Sequence, residues 1–490
     1  MNQSTGKLSV GEKVGYAVGD AAANLIFQTL LVFQMAFYTD TFGLSAAAVG
    51  TLLLVVRMWD AITDPIMGVI ADRTNTRWGK FRPWILWSAV PFGIMGCLAF
   101  TTPDLGYTGK LIYAYLTYGV LMLVYTINNL PYSALSGVMT GDVAERTSLS
   151  TYRFVFAMLA AFAVQVGALP LVEFFGKGND ARGYQLTMGL FSAIAVVLFF
   201  ITFFSTKERI QPPPGQATSL RQDLRDLVRN GPWVALFLLT LFVFITLAMR
   251  GGVMIYYFRY YLSGESLARF VEGFPSFLEP FVRLSGGEPV AVAFSTLNAF
   301  GLAATILGIV LSKPLALRFG KRNLFIGGLG FTTLFTAAFF FFPPDALAAV
   351  YVTETLRQFA YGFTIPLLWA MMADVADYAE WSTGRRATGM VFSALVFGLK
   401  AGLGFGGALG GYLLSLYGYQ ANVAQTEQAL EGIRLTASLY PAITFGIGVV
   451  CLFFYKIDKQ LEFRIADELE ARRRSLASAA GSPAMAPVNP

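Results

Sequence analysis

Histidine is absent from this chain, and cysteine occurs only twice, at Cys97 and Cys451. Without histidine there can be no histidine-based metal site and no histidine general base, so any proton relay falls to carboxylates. The two cysteines both lie in apolar runs, which excludes a disulfide framework or a thiolate metal site. Charge is scarce too: 13% of the 490 residues are charged, against 55% hydrophobic. What recurs instead is continuous apolar runs of the ~20 residues that a membrane-spanning helix needs. Backbone in hydrocarbon must satisfy its own hydrogen bonds, as helix or closed barrel, and unbroken runs without two-residue alternation select helices. The opening MNQSTGKLSVGEK lacks the apolar core and cleavage site of a secretory signal, so the first run is expected to be a retained span. The net charge of +6 has to be read by its distribution across the bilayer. No nucleic-acid partner is expected.

Twelve spans are predicted: 16–39, 46–71, 83–101, 111–137, 151–173, 185–206, 233–262, 290–312, 322–342, 346–373, 389–418 and 435–456. The proline-rich, charged stretch TKERIQPPPGQATSLRQDLRDLVRNGP divides them. The expected organisation is a six-helix bundle over 1–206, a cytoplasmic linker over 207–232, a second six-helix bundle over 233–456 and a cytoplasmic tail over 457–490. Residues 263–289 form an extended outer loop with amphipathic character. Residues 457–474 read as a charged amphipathic helix, and SLASAAGSPAMAPVNP after it as disordered. With both termini inside, 24 of the 36 lysines and arginines lie in inner segments and six in outer ones, the bias of a multi-pass plasma-membrane protein (an inner-membrane one in a Gram-negative cell). The bilayer is its immediate partner, and a monomer is the expected unit. The halves echo each other: RWGK at 77–80 returns as RFGK at 318–321, and GDVAER at 141–146 as ADVADY at 373–378. An all-α polytopic protein with two parallel pseudo-symmetric six-helix bundles is the major facilitator architecture, with its binding site near the midplane.

Charges inside spans are costly and mark functional sites by default. In RMWDAITDPIMG, Arg57, Asp60 and Asp64 fall at i, i+3 and i+7 on one helix face. Two carboxylates so close stay ionised only if a cation shares them. One arginine leaves a net charge near −1, which suits a site that binds Na⁺ or H⁺ and empties again. Asp60 and Asp64 are the candidates to hold Na⁺, with Thr63 and Thr126 adding hydroxyls and Pro65 freeing a backbone carbonyl. Lys400, among the glycines of VFGLKAGLGFGG, is the cation able to stand in when the ion is absent. The bland alternatives are an ion pair that fixes helix packing and a lysine that snorkels to the interface. Asp20, Asn24, Tyr125, Asn128, Asn129, Arg153, Arg250 and Tyr256 supply the amide, guanidinium and aromatic groups that suit a hydroxyl-rich sugar. Their alternatives are interhelical hydrogen bonding and an interfacial aromatic belt. Arg250-Gly251-Gly252 reads as a helix break. Asp72, Arg73, Arg77, Asp142, Arg318, Asp374, Asp377 and Arg385 mix acids with bases at inner span ends, as a charge-paired cytoplasmic gate would.

The stretches YTDTFGLS, RMWDAITDPIMG, DRTNTRWGKFRPWIL, NNLPYSAL, DVADYAEWSTGRRATGMVFSA and LKAGLGFGGALGGYLLSLYGY span nearly the whole chain. In them the chain resembles the glycoside–pentoside–hexuronide:cation symporters, a major facilitator family. The resemblance implies sugar or glycoside entry coupled to Na⁺, Li⁺ or H⁺. On it, Asp60 and Asp64 are the cation carboxylates, Thr126 a hydroxyl ligand, Lys400 the lysine facing them, Arg57 the arginine beside them and Arg153 an arginine near the sugar. Four positions depart from one member of that family: Thr63 stands where that member has Asn, Asn24 and Asn129 where it has sugar-binding carboxylates, and Ser133 where it has a sugar-lining tryptophan. The resemblance therefore implies a retained ion site with altered sugar contacts, for another glycoside or an acidic sugar such as a hexuronide. Na⁺ and H⁺ both stay open as the coupling ion, and no other cofactor is expected. A symporter of an amphiphile such as a lysolipid is the alternative within transport, and a membrane substrate sensor the alternative outside it. An enzyme is not expected, because nothing resembles a nucleophile with its base.

Overall fold

The computed structural model describes residues 7–140, 143–209, 227–275, 279–383 and 388–480. Asp142 and Arg385 lie outside the described residues, as does the side chain of Asp72. Every predicted span falls on a helix. In chain order these are α1 Val10–Ala36, α2 Ala46–Arg73, α3 Arg82–Ala99, α4 Tyr107–Met139, α5 Val143–Gly176 and α6 Asp180–Ser205. There follow α7 Gly231–Tyr256, the short α8 Gly264–Glu272 and α9 Glu279–Leu284, then α10 Pro289–Phe319 and α11 Lys321–Ala338. The chain continues through α12 Leu347–Thr383, α13 Thr388–Leu416, α14 Glu427–Ala437, α15 Leu439–Phe454 and α16 Lys459–Ala480. Among the described residues, 11 helical segments are long and apolar enough to cross a bilayer. α3 is shorter and less apolar, because Arg82, two prolines and two tryptophans dilute its hydrocarbon character.

Starts are fixed by local chemistry. Ser9 and Glu12 form a capping box on α1, Asn179 caps α6 and Asn230 caps α7. The repeated tetrapeptide has a common backbone reason: Gly79 (φ +112°) and Gly320 (φ +83°) both occupy the region that favours glycine. Glu208 then accepts from the N–H groups of Lys80, Phe81 and Arg82 at 2.7–2.9 Å, placing a carboxylate on the positive end of α3.

Packing pairs α1 with α5 and α6, α3 with α4 and α6, α7 with α13 and α15, and α12 with α10 and α11. The two sets of helices meet along α2–α13, α5–α10 and α1–α7. α2 presents Trp59, Ile62, Ile66, Val69 and Ile70 outward, opposite its charged face. Its contact with α13 needs glycine: a Cβ at Gly411 would stand 2.4 Å from the Ala46 carbonyl oxygen. Gly411→Val is therefore expected to part the two helices and cost about 1–3 kcal/mol of stability, read as a lowered thermal unfolding midpoint in detergent. An unchanged midpoint would mean that this contact does not hold the halves together.

Three expectations are corrected here. Arg250-Gly251-Gly252 does not break α7, which runs on to Tyr256 and only then widens into a π turn over Tyr257–Tyr261. Gly252 instead lies against Met35 of α1. The final span begins earlier, as α14, and bends at Ser438. The tail helix runs through Ala480, past the expected end at Arg474, and packs on α12. In the 263–289 loop, α8 lies on α10 and α9 on α5.

Candidate functional site

The charged face of α2 meets α4 and α13 in the middle of the molecule. Asp60 is fully buried. The Thr126 hydroxyl lies 2.8 Å from Asp60 Oδ1 and 3.0 Å from Asp64 Oδ1, so its one proton bridges the pair. Lys400 Nζ lies 3.0 Å from Asp60 Oδ2 and 2.5 Å from Asp64 Oδ2. At Asp60 the ammonium sits off the hydrogen-bonding direction, so the buried Oδ2 is paired by charge alone and accepts no hydrogen bond. Two carboxylates against one lysine leave this cluster one negative charge. Carboxylate and hydroxyl oxygens are the donors that a hard monovalent cation takes, and an off-axis oxygen is the point where one would enter.

The other two residues expected beside this site lie differently. Arg57 makes no ion pair with either carboxylate among the described residues. It sits a turn earlier on α2, against Gly404, with its guanidinium 5.2 Å from the centroid of the Phe27 ring. The Thr63 hydroxyl bonds back to the Asp60 carbonyl at 3.0 Å, which satisfies it within its own helix.

A second polar group lies on α1, α4 and α5. Arg153 pairs with Asp20 at 3.2 Å and lies 5.5 Å over the Tyr132 ring. Asn24 donates to the Asp20 carbonyl, and Asn129 donates to the Tyr125 hydroxyl at 3.2 Å. Asn24, Tyr125, Asn129 and Arg153 are half-buried. Phe27 joins the two groups, its ring stacked 5.7 Å from Tyr125 and also under Arg57. Asn128 is not brought here: it bonds Ser88 between α4 and α3 at 2.8 Å, and is buried. Arg250 lies deeper, paired with Glu354 at 2.8 Å.

Tyr256 belongs to a third group, at the end of the molecule opposite the chain termini. It shares a 2.6 Å hydrogen bond with Thr39. Beside it, Asp40 at the end of α1 accepts from Arg259 and Tyr260, both at 2.9 Å, and from Tyr419, while Asn422 donates to its carbonyl. Burial, then the neighbouring Tyr256 and Asp40, holds the Tyr419 phenol above its usual pKa, so it remains a proton donor. Asp40 thus joins the first set of helices to the second.

At the terminal end the described ion pairs stay within one set of helices. Lys321 holds Asp374 at 2.6 Å and Glu462 of the tail helix at 3.0 Å, with Asp377 one turn beyond Asp374. Arg77 and Arg318 lie over their neighbours Trp78 and Phe319 at 4.4 and 5.3 Å, and Arg73 is exposed. Among the described residues, the expected gate residues form no ion pair across the halves.

Sequence reasoning passed over Asp40, Arg259, Tyr260, Tyr419, Phe27, Glu354 and Arg357. The last two carried a signal, as charges three residues apart inside the tenth apolar run. The Asp40 group carried little, since its members lie 219 to 382 residues apart and sit near span ends, where polar residues are ordinary.

Two helical sets meeting around a buried, half-compensated carboxylate pair define a polytopic transporter of the major facilitator type. The fold is shared with a solved bacterial homolog of the human lysosomal transporter Spinster, at a TM-score of 0.62 and 16% identity, over 91% of this chain and 95% of that one. Residues 15–279 and 288–459 match the family described as MFS/sugar transport protein, and the chain belongs to it. Among its relatives, the inner membrane symporter YicJ of Escherichia coli K12 is 40% identical, over 90% of this chain and 91% of the relative. The putative glycoside/cation symporter YagG of the same organism is 36% identical, over 92% and 93%. Family and relatives are membrane transporters, not enzymes.

Proposed function

We propose that the chain is a secondary active symporter that carries a glycoside inward with a monovalent cation, Na⁺ or H⁺, by alternating access. Both termini are then cytoplasmic, as the 24-to-6 distribution of lysine and arginine requires. The protein resides in the plasma membrane, the inner one in a Gram-negative cell, works as a monomer in the bilayer, and stands open to the inside. The observation that carries the reading is Lys400 reaching from α13 to both carboxylates of α2.

In this reading the ion and the Lys400 ammonium compete for the same oxygens. Asp60, Asp64 and Thr126 hold the ion, and Lys400 holds the carboxylates after it leaves. The carboxylates belong to one half and the lysine to the other, so each exchange changes what joins the halves. Asn24, Tyr125, Asn129 and Arg153 offer hydrogen bonds to sugar hydroxyls, with Phe27 between the sugar and the ion. The relative described as a glycoside/cation symporter supports the pairing of these two ligands.

The test is uptake of a labelled glycoside panel into reconstituted vesicles, with and without an inward cation gradient. Accumulation above the outside concentration is expected only with the gradient. Comparing a Na⁺ gradient at fixed pH with a pH gradient in Na⁺-free buffer identifies the ion. Equal entry under all conditions would mean a uniporter and would remove the role given to Asp60 and Asp64.

A further inference from the structure

α10 and α12 are pressed together at Gly308 and Gly362, where a Cβ on Gly308 would stand 2.3 Å from the Phe359 carbonyl oxygen. Each helix then carries a proline, Pro314 and Pro366, and beyond the contact they stand apart around a cavity of about 260 Å³. The first turn of the tail helix α16 completes its wall with Lys459, Glu462 and Phe463. Most of the lining is apolar, from Ala316 and Leu317 on α10 and Leu367 and Ala370 on α12.

The cleft faces lipid tails and not the ion site. On α12, Pro366 and Ala370 continue the stripe of Val352, Leu356 and Phe363. On α10, Lys313 and Leu317 continue the stripe of Ile306 and Val310. Val352, Leu356, Ile306, Val310 and Leu317 are all exposed, which on spanning helices marks the surface that meets the bilayer. Lys313 is the one charge in its stripe, about 9 Å along α10 from the last residue, Phe319. It is exposed, and among the described residues it has no hydrogen bond or ion pair. Lys459 donates to the Leu317 carbonyl at 2.7 Å, which leaves its ammonium two further N–H groups. Lys321, the third lysine on the wall, is held by Asp374 and Glu462. Three lysines against those two carboxylates leave one positive charge beside an apolar cleft.

We propose that the cleft between α10, α12 and α16 binds an anionic phospholipid from the leaflet on the side of the chain termini. Its phosphodiester lies between Lys313 and Lys459, and part of one acyl chain fills the cleft. A phosphodiester carries the single negative charge that the lysines leave uncompensated, and basic pockets between spanning helices suit such headgroups. The chain supplies the dispersion contacts that an empty apolar wall forfeits. A free anion would meet the lysines and leave the cleft unfilled, and a zwitterionic lipid would bring a further cation toward them. The bound lipid joins the tail helix to two spanning helices. This site draws on the bilayer alone, so it stands apart from the symport reading.

The experiment is native mass spectrometry of the purified, delipidated full chain, titrated with dioleoyl phosphatidylglycerol or with dioleoyl phosphatidylcholine. It reads the affinity for the first lipid bound. A basic side chain beside an anionic headgroup is worth about fivefold, so with two of them phosphatidylglycerol should bind at least about tenfold more tightly. Lys313→Gln and Lys459→Gln should each cut that preference by at least about threefold, and Lys313→Arg should keep it. Lys456→Gln, an exposed lysine at the same end but off the wall, should leave it unchanged. Ala316→Leu and Ala370→Leu, from facing walls, should each weaken phosphatidylglycerol by at least about threefold with both lysines in place. The proposal is overturned if phosphatidylglycerol is not preferred, if both glutamine variants on the wall keep the preference, or if Lys456→Gln lowers it as much. It is equally overturned if neither leucine variant weakens binding, or if inorganic phosphate at the lipid's own concentration displaces the lipid.

Discussion

Vesicles carrying Asp60→Asn accumulate no glycoside above the outside concentration under any cation gradient: this is the largest effect expected. Asp60 has no exposure to solvent, and its Oδ2 already lacks a hydrogen bond. An amide there removes one of the two charges that attract the ion and leaves Lys400 and Asp64 as a neutral pair. Removing a buried charge from such a group costs about 3–5 kcal/mol, roughly 10²–10⁴ in ion affinity. Glycoside binding measured without a gradient should fall far less, because Asn24, Asn129 and Arg153 are untouched. Asp64→Asn should act in the same direction but more weakly, since Asp64 is partly open to solvent and its loss leaves the fully buried Asp60 charge in place. Normal accumulation by both variants would dismiss this carboxylate pair as the ion site.

The second large effect concerns the end opposite the termini. Asp40→Asn should open that end. The aspartate side chain is nearly inaccessible and takes three donors from the other half, Arg259, Tyr260 and Tyr419. An amide cannot pair with Arg259, and it brings N–H groups toward phenols that are themselves donors. Arg259 keeps some access to water, so the loss is about 1.5–3 kcal/mol, or roughly 10- to 100-fold in the balance between closed and open forms. A cysteine placed at Leu31 in a Cys97→Ser, Cys451→Ser background reports this directly. Its reaction with a membrane-impermeant maleimide added outside should quicken at least about tenfold in the Asp40→Asn variant. An unchanged rate would show that other contacts close this end.

The sequence made some of this visible because helices impose a period. Asp60 and Asp64 had to share a face, and a lysine amid glycines in a late span was conspicuous, so the contact between Lys400 and the pair follows from charge scarcity. Thr126 entered as a hydroxyl able to join a hard-cation site, and it does bridge the pair. The places where expectation failed share a cause. Arg57 lies on the same face as the carboxylates, yet an aromatic ring one helix away captures it. Asn128 neighbours Asn129 in the chain, but a step of about 100° around the helix turns it toward Ser88. Arg250-Gly251-Gly252 looked like a break because glycine is flexible, whereas here the helix runs on against α1 through Tyr256. In each case the partner from another helix decided the outcome, and one helix's pattern does not contain it.

Phe27 has one ring and two neighbours: Tyr125 among the groups that the symport reading gives to the sugar, and Arg57 beside the carboxylates. Whatever reseats that ring when a sugar arrives also alters the field at the ion, and the reverse holds. Thermodynamic reciprocity then fixes the bargain between the two ligands: the factor by which the ion tightens the sugar equals the factor by which the sugar tightens the ion. Couplings of this kind typically run to about 5–150-fold. Substituting Phe27 should lower both factors together, and a variant in which only one of them changed would violate equilibrium itself.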